Sequence, residues 1–297
     1  MIFEFTKMHG AGNDFILARM PSLPPEEREK VFSRERIAFL CDRHLGVGGD
    51  GLILADPMAT RSAKGTAMAG MHYFNSDGGS AAMCGNGLRC AASFLYRKGL
   101  LGKEKKMCFL SAGIEAEAEI LDEEGKRVKI QLDVTEGFQK YEVAFEGRTF
   151  PVYKGGVGVP HAVAVLKEEE WNTLDVRKLG SFLRYHALFA PEGANADFLF
   201  FPEGEREKKN PTVLIRTYER GVEDETLCCG TGCSSSAVVL RKFFSFPAEM
   251  RFFCRKGDEI AIEIPEEGNT LRRVHLSGPA ETVFEGKMLL DETVNQQ

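Results

Sequence analysis

The sequence predicts an α/β (α+β) fold of two pseudo-symmetric domains, and three observations predict it. The chain has 297 residues, room for two domains at about 100–200 residues each. The tetrad Cys-Gly-x-Gly occurs twice, as Cys84-Gly85-Asn86-Gly87 and Cys229-Gly230-Thr231-Gly232, with its cysteines 145 residues apart, close to half the chain. Each tetrad is followed by the same helical stripe of small or apolar residues at i, i+3, i+4 and i+7: Leu88, Ala91, Ala92 and Leu95, then Cys233, Ser236, Ala237 and Leu240. This pattern is read as an internal duplication, each half presenting one cysteine at a helix N-terminus. Symmetry puts the divide near Lys126 and frees the end of the chain to return. The expected domains are 1–127 with 277–297, and 128–276.

Between the two helix starts, most of the chain reads as strands and turns. Met1 to Lys7 alternates as a strand, and Pro25 to His44 reads as one helix. Strands follow at Leu52–Ala55 and His72–Phe74, then the first tetrad helix at Leu88–Lys98. Arg127–Val134 alternates Val128, Ile130, Leu132 and Val134 with polar residues, the signature of a half-buried strand. His161–Val165 is a further strand, Asp175–His186 a helix, and Asp197–Phe201 and Val213–Tyr218 strands before the second tetrad helix at Cys233–Phe243. Asp258–Ile264 alternates Ile260, Ile262 and Ile264, and Arg273–Leu276 closes the series. Asp56–Gly70 and Glu203–Pro211 carry loop-forming residues and read as exposed insertions. Gly46-Val47-Gly48-Gly49-Asp50-Gly51 matches a dinucleotide-binding spacing, but here a helix precedes and a strand follows, the reverse of what that motif requires, so a tight turn is expected.

Composition excludes several functions. With 38 Lys+Arg against 44 Asp+Glu, a net charge of -6 and no long basic run, a sequence-independent grip on nucleic-acid phosphates is not expected. No apolar run approaches the ~20 residues of a membrane span. Met1 to Phe5 alternates instead of forming a signal peptide, so a cytoplasmic, reducing location is expected. The eight cysteines then do not read as a disulfide framework, and no CxxC occurs.

A cysteine at a helix N-terminus lies at the positive end of the macrodipole, which favours the thiolate; such sulfurs fall to about 3.5–7.5. The unpaired N–H groups of Gly85, Asn86, Gly230 and Thr231 would bind an anion such as a carboxylate. If the halves face one another, an anion cradle flanked by two thiols results. Disulfide exchange usually uses CxxC. Metal binding wants four ligands, and although Cys90, Cys228, Cys233 and the histidines are candidates, no pair has ligand spacing. Proton transfer at carbon remains: one thiolate removes a proton from one face, and the opposing thiol returns another to the other, the pair titrating as a unit. No lysine sits in a pyridoxal-phosphate setting, so no cofactor is expected, and carboxylate charge would be stabilised by the two helix N-termini in a closed, dry site.

The ordered motifs Met8-His9-Gly10-Ala11-Gly12-Asn13-Asp14-Phe15, Phe74-Asn75-Ser76-Asp77-Gly78, Cys84-Gly85-Asn86-Gly87-Leu88-Arg89-Cys90, Pro160-His161, Gly193-Ala194-Asn195 and Arg216–Gly221 running on through Glu225 to Gly232 resemble diaminopimelate epimerase along nearly the whole chain. The resemblance implies a cofactor-independent isomerase interconverting LL- and meso-diaminopimelate for lysine and peptidoglycan synthesis. It also implies a homodimer whose domains each wrap mainly antiparallel or mixed strands around a central helix, with the active site in the interdomain cleft. Carried over by position, Cys84 and Cys229 are the acid/base thiols, and Gly85, Asn86, Gly230 and Thr231 hold the reacting carboxylate. Asn13, Asn75, Asn195 and Arg220 bind substrate, while His161 and Glu219 tune or orient the thiols. The partner is a small molecule, with no metal, nucleic acid or membrane.

Plainer readings stand beside these: His161 as a capped loop histidine, Glu219-Arg220 as a strand-end ion pair, Asn13 as a turn residue. Cys41, Cys90, Cys108 and Cys254 are read as small buried hydrophobes, and six of the eight cysteines are set aside as packing residues. Three positions depart from the family pattern: Val159 where asparagine is common, Gly51 where some members have glutamine, and Cys228 where alanine is usual. A proline- or histidine-type racemase on the same scaffold and a thiol-based metal or redox protein are the alternatives.

Overall fold

A computed structural model of the chain describes residues 2–81, 84–102, 104–265 and 271–290. Met1 of the first expected strand, Met83 before the first tetrad, and 266–270 and 291–297 of the expected domains lie outside the described residues. Two compact units divide the chain, 1–130 with 278–297, and 131–277.

In the first unit, β1 (Ile2–Gly10) returns into β2 (Asn13–Arg19) through Ala11 and Gly12, both at positive φ (56° and 91°). That two-residue turn matches the twist of the flanking strands and fixes Asn13 opposite Gly10. The single helix expected over Pro25–His44 is two, α1 (Pro25–Val31) and α2 (Arg34–Cys41). Ser33 breaks it: its backbone is extended and its hydroxyl accepts from the Arg36 N–H, which starts a new helix instead of continuing the old one. The expected loop Asp56–Gly70 is also overturned. β3 (Gly51–Arg61) and β4 (Ala67–Asn75) pair from Gly51 opposite Asn75 out to Arg61 opposite Ala67, leaving only a short turn. The outer end of β3 is exposed, so it carries no apolar alternation to betray a strand. β5 (Ser80–Ala81), α3 (Gly85–Arg97), β6 (Lys106–Ser111) and β7 (Ile114–Ile120) follow, and β8 (Arg127–Phe145) leads into the second unit.

The second unit contains β9 (Arg148–Val157), β10 (Val159–Val165), α4 (Glu168–Asn172), α5 (Val176–Arg184), β11 (Asn195–Phe200), β12 (Thr212–Glu219), β13 (Asp224–Thr226), α6 (Gly230–Phe244), β14 (Glu249–Phe253) and β15 (Glu259–Glu263). β16 (Arg273–Pro279) carries the chain back, and β17 (Glu281–Leu289) pairs with β1.

The duplication read from the tetrads is present in the ladders. β1–β2 is antiparallel, β2–β3 parallel, β3–β4 antiparallel, β4–β6 parallel, and β6–β7 and β7–β8 antiparallel. β9–β10, β10–β11, β11–β12, β12–β14, β14–β15 and β15–β16 repeat that series in the same order and sense. In each half one long helix follows a two- or three-residue strand. α3 packs against β1, β2, β3, β4 and β7, and α6 against β9, β10, β11 and β15, so each helix is wrapped by its own strands. All eight stripe residues are buried. Truncating Leu88 or Leu240 to alanine would cost about 2–5 kcal/mol by the ordinary cavity penalty. Flanking helices complete each core: Ile37 and Leu40 of α2 pack with Ile16, Leu52 and Leu54, and Val176 and Leu183 of α5 pack with Phe198 and Tyr218. Among the described residues no helix is long and apolar enough to cross a membrane.

Candidate active site

Cys84 is the N-cap of α3, with extended backbone. Its sulfur accepts the Gly87 N–H at 3.5 Å, and its thiol reaches Asn13 Oδ1 at 3.6 Å. The same Asn13 oxygen accepts from Asn86 Nδ2 at 3.4 Å, while Asn13 Nδ2 donates to Asp50 Oδ2 at 2.6 Å. Asn13 is therefore held from both ends of its amide by the turn before β3 and by the start of α3. Asn86 is buried and its Oδ1 has no hydrogen-bond partner among the described residues. The N–H groups of Gly85 and Asn86 belong to the first helical turn, where the backbone ladder supplies no acceptor. Asp14 locks the strand beneath: Lys7 and Arg43 pair with it at 2.7 Å each, and these contacts outweigh burial and hold its carboxyl well below the usual carboxylate range. Asn75 stands at the end of β4, opposite Gly51, and is exposed. Its backbone closes the turn through Gly78 and Gly79, and among the described contacts its side chain makes no hydrogen bond to Cys84, Asn13 or Asn86. Gly51 has no room for a larger residue: a Cβ there would lie 2.3 Å from the Phe74 carbonyl oxygen, so close packing accounts for the glycine.

The second half has the same plan with a different support. Cys229 is the N-cap of α6, buried, and its sulfur lies 3.3 Å from the Thr231 hydroxyl. Burial pushes its thiol well up, and the carboxylates of Glu219 and Asp197 push it further, so the sulfur holds its proton. A helix start favours the thiolate, but here desolvation wins. Burial likewise raises Glu219 to about 6, opposed by the Thr226 hydroxyl and His161 and assisted by Asp197. His161 is not a loop histidine: it lies within β10, has no exposure, and its Nδ1 is 2.6 Å from Asp197 Oδ2. The Thr217 hydroxyl donates to the other Asp197 oxygen at 2.8 Å. With Nδ1 engaged, His161 Nε2 is left buried and without a hydrogen-bond partner among the described residues.

Asn195 begins β11 directly opposite His161 on β10, and its Oδ1 accepts the Arg220 N–H at 2.7 Å. That bond fixes the strand end that carries Glu219 and Arg220. The ion-pair contact of Arg220 is with exposed Glu192 at 3.8 Å, not with Glu219. The structure thus brings together Asn13, Cys84, Gly85 and Asn86 in one unit, and His161, Asn195, Glu219, Arg220, Cys229, Gly230 and Thr231 in the other. Asp50, Asp197 and Thr217 were not singled out in the sequence. Asp197 had one signal, its position two residues after Asn195 on a strand, which puts both side chains on one face.

The remaining six cysteines are all buried, as expected of packing residues, and three of them converge. Cys228 Sγ lies 2.7 Å from Cys254 Sγ, and Cys233 Sγ lies 3.9 Å from Cys254. No sequence spacing announces this group, because Cys254 follows β14 while the other two flank the second tetrad. The eight cysteines, all among the described residues, form no disulfide.

The sequence model of the family described as diaminopimelate epimerase matches residues 5–136. A diaminopimelate epimerase of Hydrogenobaculum sp. (strain Y04AAS1) is 39% identical over 290 residues, covering 95% of this chain and 97% of that protein. One from Aquifex aeolicus (strain VF5) is 35% identical over 289 residues, covering 96% and 97%. Among solved structures, a phenazine biosynthesis protein of the PhzF family from Bacillus anthracis aligns with a TM-score of 0.69 at 14% identity, covering 98% of this chain and 100% of that one. A hydroxyproline epimerase from Agrobacterium vitis, solved with bound trans-4-OH-L-proline, aligns with a TM-score of 0.66 at 15% identity, covering 98% and 92%. At those identities the structural likeness is one of fold. Identity of 39% over almost the full length of both proteins carries more, and by it this chain belongs to the diaminopimelate epimerase family of isomerases.

Proposed function

We propose that the protein epimerises LL-2,6-diaminopimelate to meso-diaminopimelate without a cofactor, as a step toward lysine and peptidoglycan precursors. Cys84 and Cys229 are the two bases, and domains 1–127 with 277–297 and 128–276 each supply one of them. The observation that carries this reading is the pairing of like with like: each half sets one cysteine as the N-cap of its central helix. Such a pair can deliver and remove a proton with matched groups. The resting asymmetry also fits. Burial and neighbouring carboxylates keep the proton on Cys229, while Cys84 is only partly buried and takes an N–H bond from Gly87.

In this reading Cys84 removes the α-proton as Cys229 donates its own to the opposite face, and the reverse reaction exchanges the roles. The charge that develops on the α-carboxylate is taken up by the N–H groups of Gly85, Asn86, Gly230 and Thr231 and the two helix dipoles. The unpartnered Asn86 oxygen is an acceptor suited to an ammonium. Asn13, Asn75, Asn195 and the Arg220 fork read the distal amino-acid end. Glu219 and His161 act through Cys229, one by its charge and one by its position beside Asp197. The resemblance supports a homodimeric, cytoplasmic enzyme, and light scattering on the purified protein checks the dimer.

The test is incubation with LL-diaminopimelate in deuterium oxide. Early product carries solvent deuterium at the inverted carbon, and Cys84→Ala and Cys229→Ala each abolish epimerisation. Activity surviving in either variant overturns the two-base account. Chiral chromatography of proline and histidine under the same conditions tests the racemase alternative.

A further inference from the structure

The sulfurs of Cys228, Cys233 and Cys254 all lie within 4.8 Å of one another, and all three residues are buried. From this convergence we infer a three-thiolate site for a soft closed-shell cation of the Cu(I) kind, which three sulfurs can satisfy, built from residues other than Cys84 and Cys229. Two sulfurs on one metal at about 2.3 Å stand about 3.8–4.0 Å apart. Cys233 and Cys254 already have that separation, at 3.9 Å. Cys228, at 2.7 Å from Cys254, opens by about 1 Å to complete the triangle, a side-chain adjustment. Among the described residues the group contains sulfur alone, with no oxygen or imidazole donor, which selects thiophilic metals over magnesium, calcium or manganese. Burial excludes water and keeps the coordination number low.

The same surroundings describe the metal-free group. Contact with Cys228, then the other neighbouring thiol and burial, raises Cys233 well above an ordinary thiol, and contact with Cys228 likewise raises Cys254. Thiolate ligation of a metal displaces the thiol protons, so affinity climbs with pH. The site also brackets the second tetrad. Cys228 precedes Cys229 and Cys233 lies in the first turn of α6, so a bound cation ties both flanks of that helix start to the end of β14.

The test uses the full-length protein, reduced, stripped with a chelator and kept anaerobic. Cadmium is the probe, read by thiolate-to-metal charge-transfer absorption. Zinc and cuprous ion are then titrated separately against the cadmium band, and displacement ranks the two. The expected result is one cadmium per chain, retained in the Cys84→Ala/Cys229→Ala double variant and lost in Cys228→Ala and in Cys254→Ser, with a metal-dependent rise in Tm lost in the same two. Should those variants fold poorly, wild-type protein decides: cadmium shields Cys228, Cys233 and Cys254 together from alkylation, located by peptide mass, while Cys41 labels at its metal-free rate. Absence of the band, its persistence in folded Cys228→Ala and Cys254→Ser, unchanged labelling of the three thiols, or a mass short by two hydrogens from a Cys228–Cys254 disulfide overturns the site.

Discussion

His161 Nδ1 and Asp197 Oδ2 lie 2.6 Å apart with both side chains at 0% exposure. Their strands are adjacent and parallel, His161 facing Asn195 in register with Asp197 two residues further on. Asp197 also accepts from Thr217, so one carboxylate serves two donors in a dry place. Removing it leaves both unsatisfied. Asp197→Ala is expected to cost about 3–5 kcal/mol in urea denaturation. Asp197→Asn, which keeps one acceptor, should cost less. If Asp197 works by holding His161, the asparagine variant lowers kcat more than it raises KM.

The glycines that close the two tetrads make a matched comparison. A Cβ on Gly232 would meet Asp197 Oδ1 at 2.3 Å and Cys229 Cβ at 3.2 Å, whereas one on Gly87 would meet the end of the Ile53 side chain at 2.8 Å. The isoleucine terminus can turn aside; the anchored carboxylate cannot. Gly232→Ala is expected to lose about 1–3 kcal/mol from overpacking and to displace the His161 support, while Gly87→Ala is milder. Thermal melts of the two variants, measured together, check the order.

Glu219 supplies a pH signature. Its carboxyl is raised from 4.5 to about 6 in the folded protein, chiefly by burial, so between those values the native state binds more protons than the unfolded chain. Stability from this group is therefore fully present below about 4.5 and falls as pH rises through about 6, by at most about 2 kcal/mol. Glu219→Gln removes that slope. The difference between wild-type and variant unfolding free energies, followed from pH 4 to pH 8, should show the step. The variant also removes a charge that raises Cys229, so alkylation of Cys229 at mildly alkaline pH should quicken.

Ser33 is remote from the chemistry and tests the break between α1 and α2. Its hydroxyl accepts the Arg36 N–H at 3.3 Å, and Ser33→Ala is expected to cost about 1 kcal/mol with turnover unchanged, measured by denaturation and assay of one preparation.

What the sequence disclosed and what it hid follow from the range of the interactions. Both helix starts were legible because the tetrad, the cap and the stripe lie within a dozen residues. β15 and the first part of β8, Arg127–Val134, were legible because one face is buried and the alternation shows, whereas the rest of β8 is mostly exposed and shows none. The outer part of the β3–β4 hairpin was not, because strands exposed on both faces carry no such pattern. The partner of His161 lay 36 residues away on the next strand, and the thiol that completes the Cys228 group followed at a distance of 26. Pairings made by the ladder leave no local trace. Asn75 shows the converse, since a motif residue can be named from sequence while its surroundings stay undetermined by it.

β1 and β17 are neighbours along Ile2 to His9, although β17 is made long after β1. The whole stretch 131–277 is inserted between them. On the ribosome, then, the inserted unit has all its ladder partners in hand while β1 still waits with one edge bare, its Phe3 and Phe5 lacking the strand that buries them. Gly286 of β17 is the residue that lets that strand in, since a Cβ there would strike the Phe5 ring at 2.7 Å. The first unit cannot complete its ladder until the whole of the second has been made.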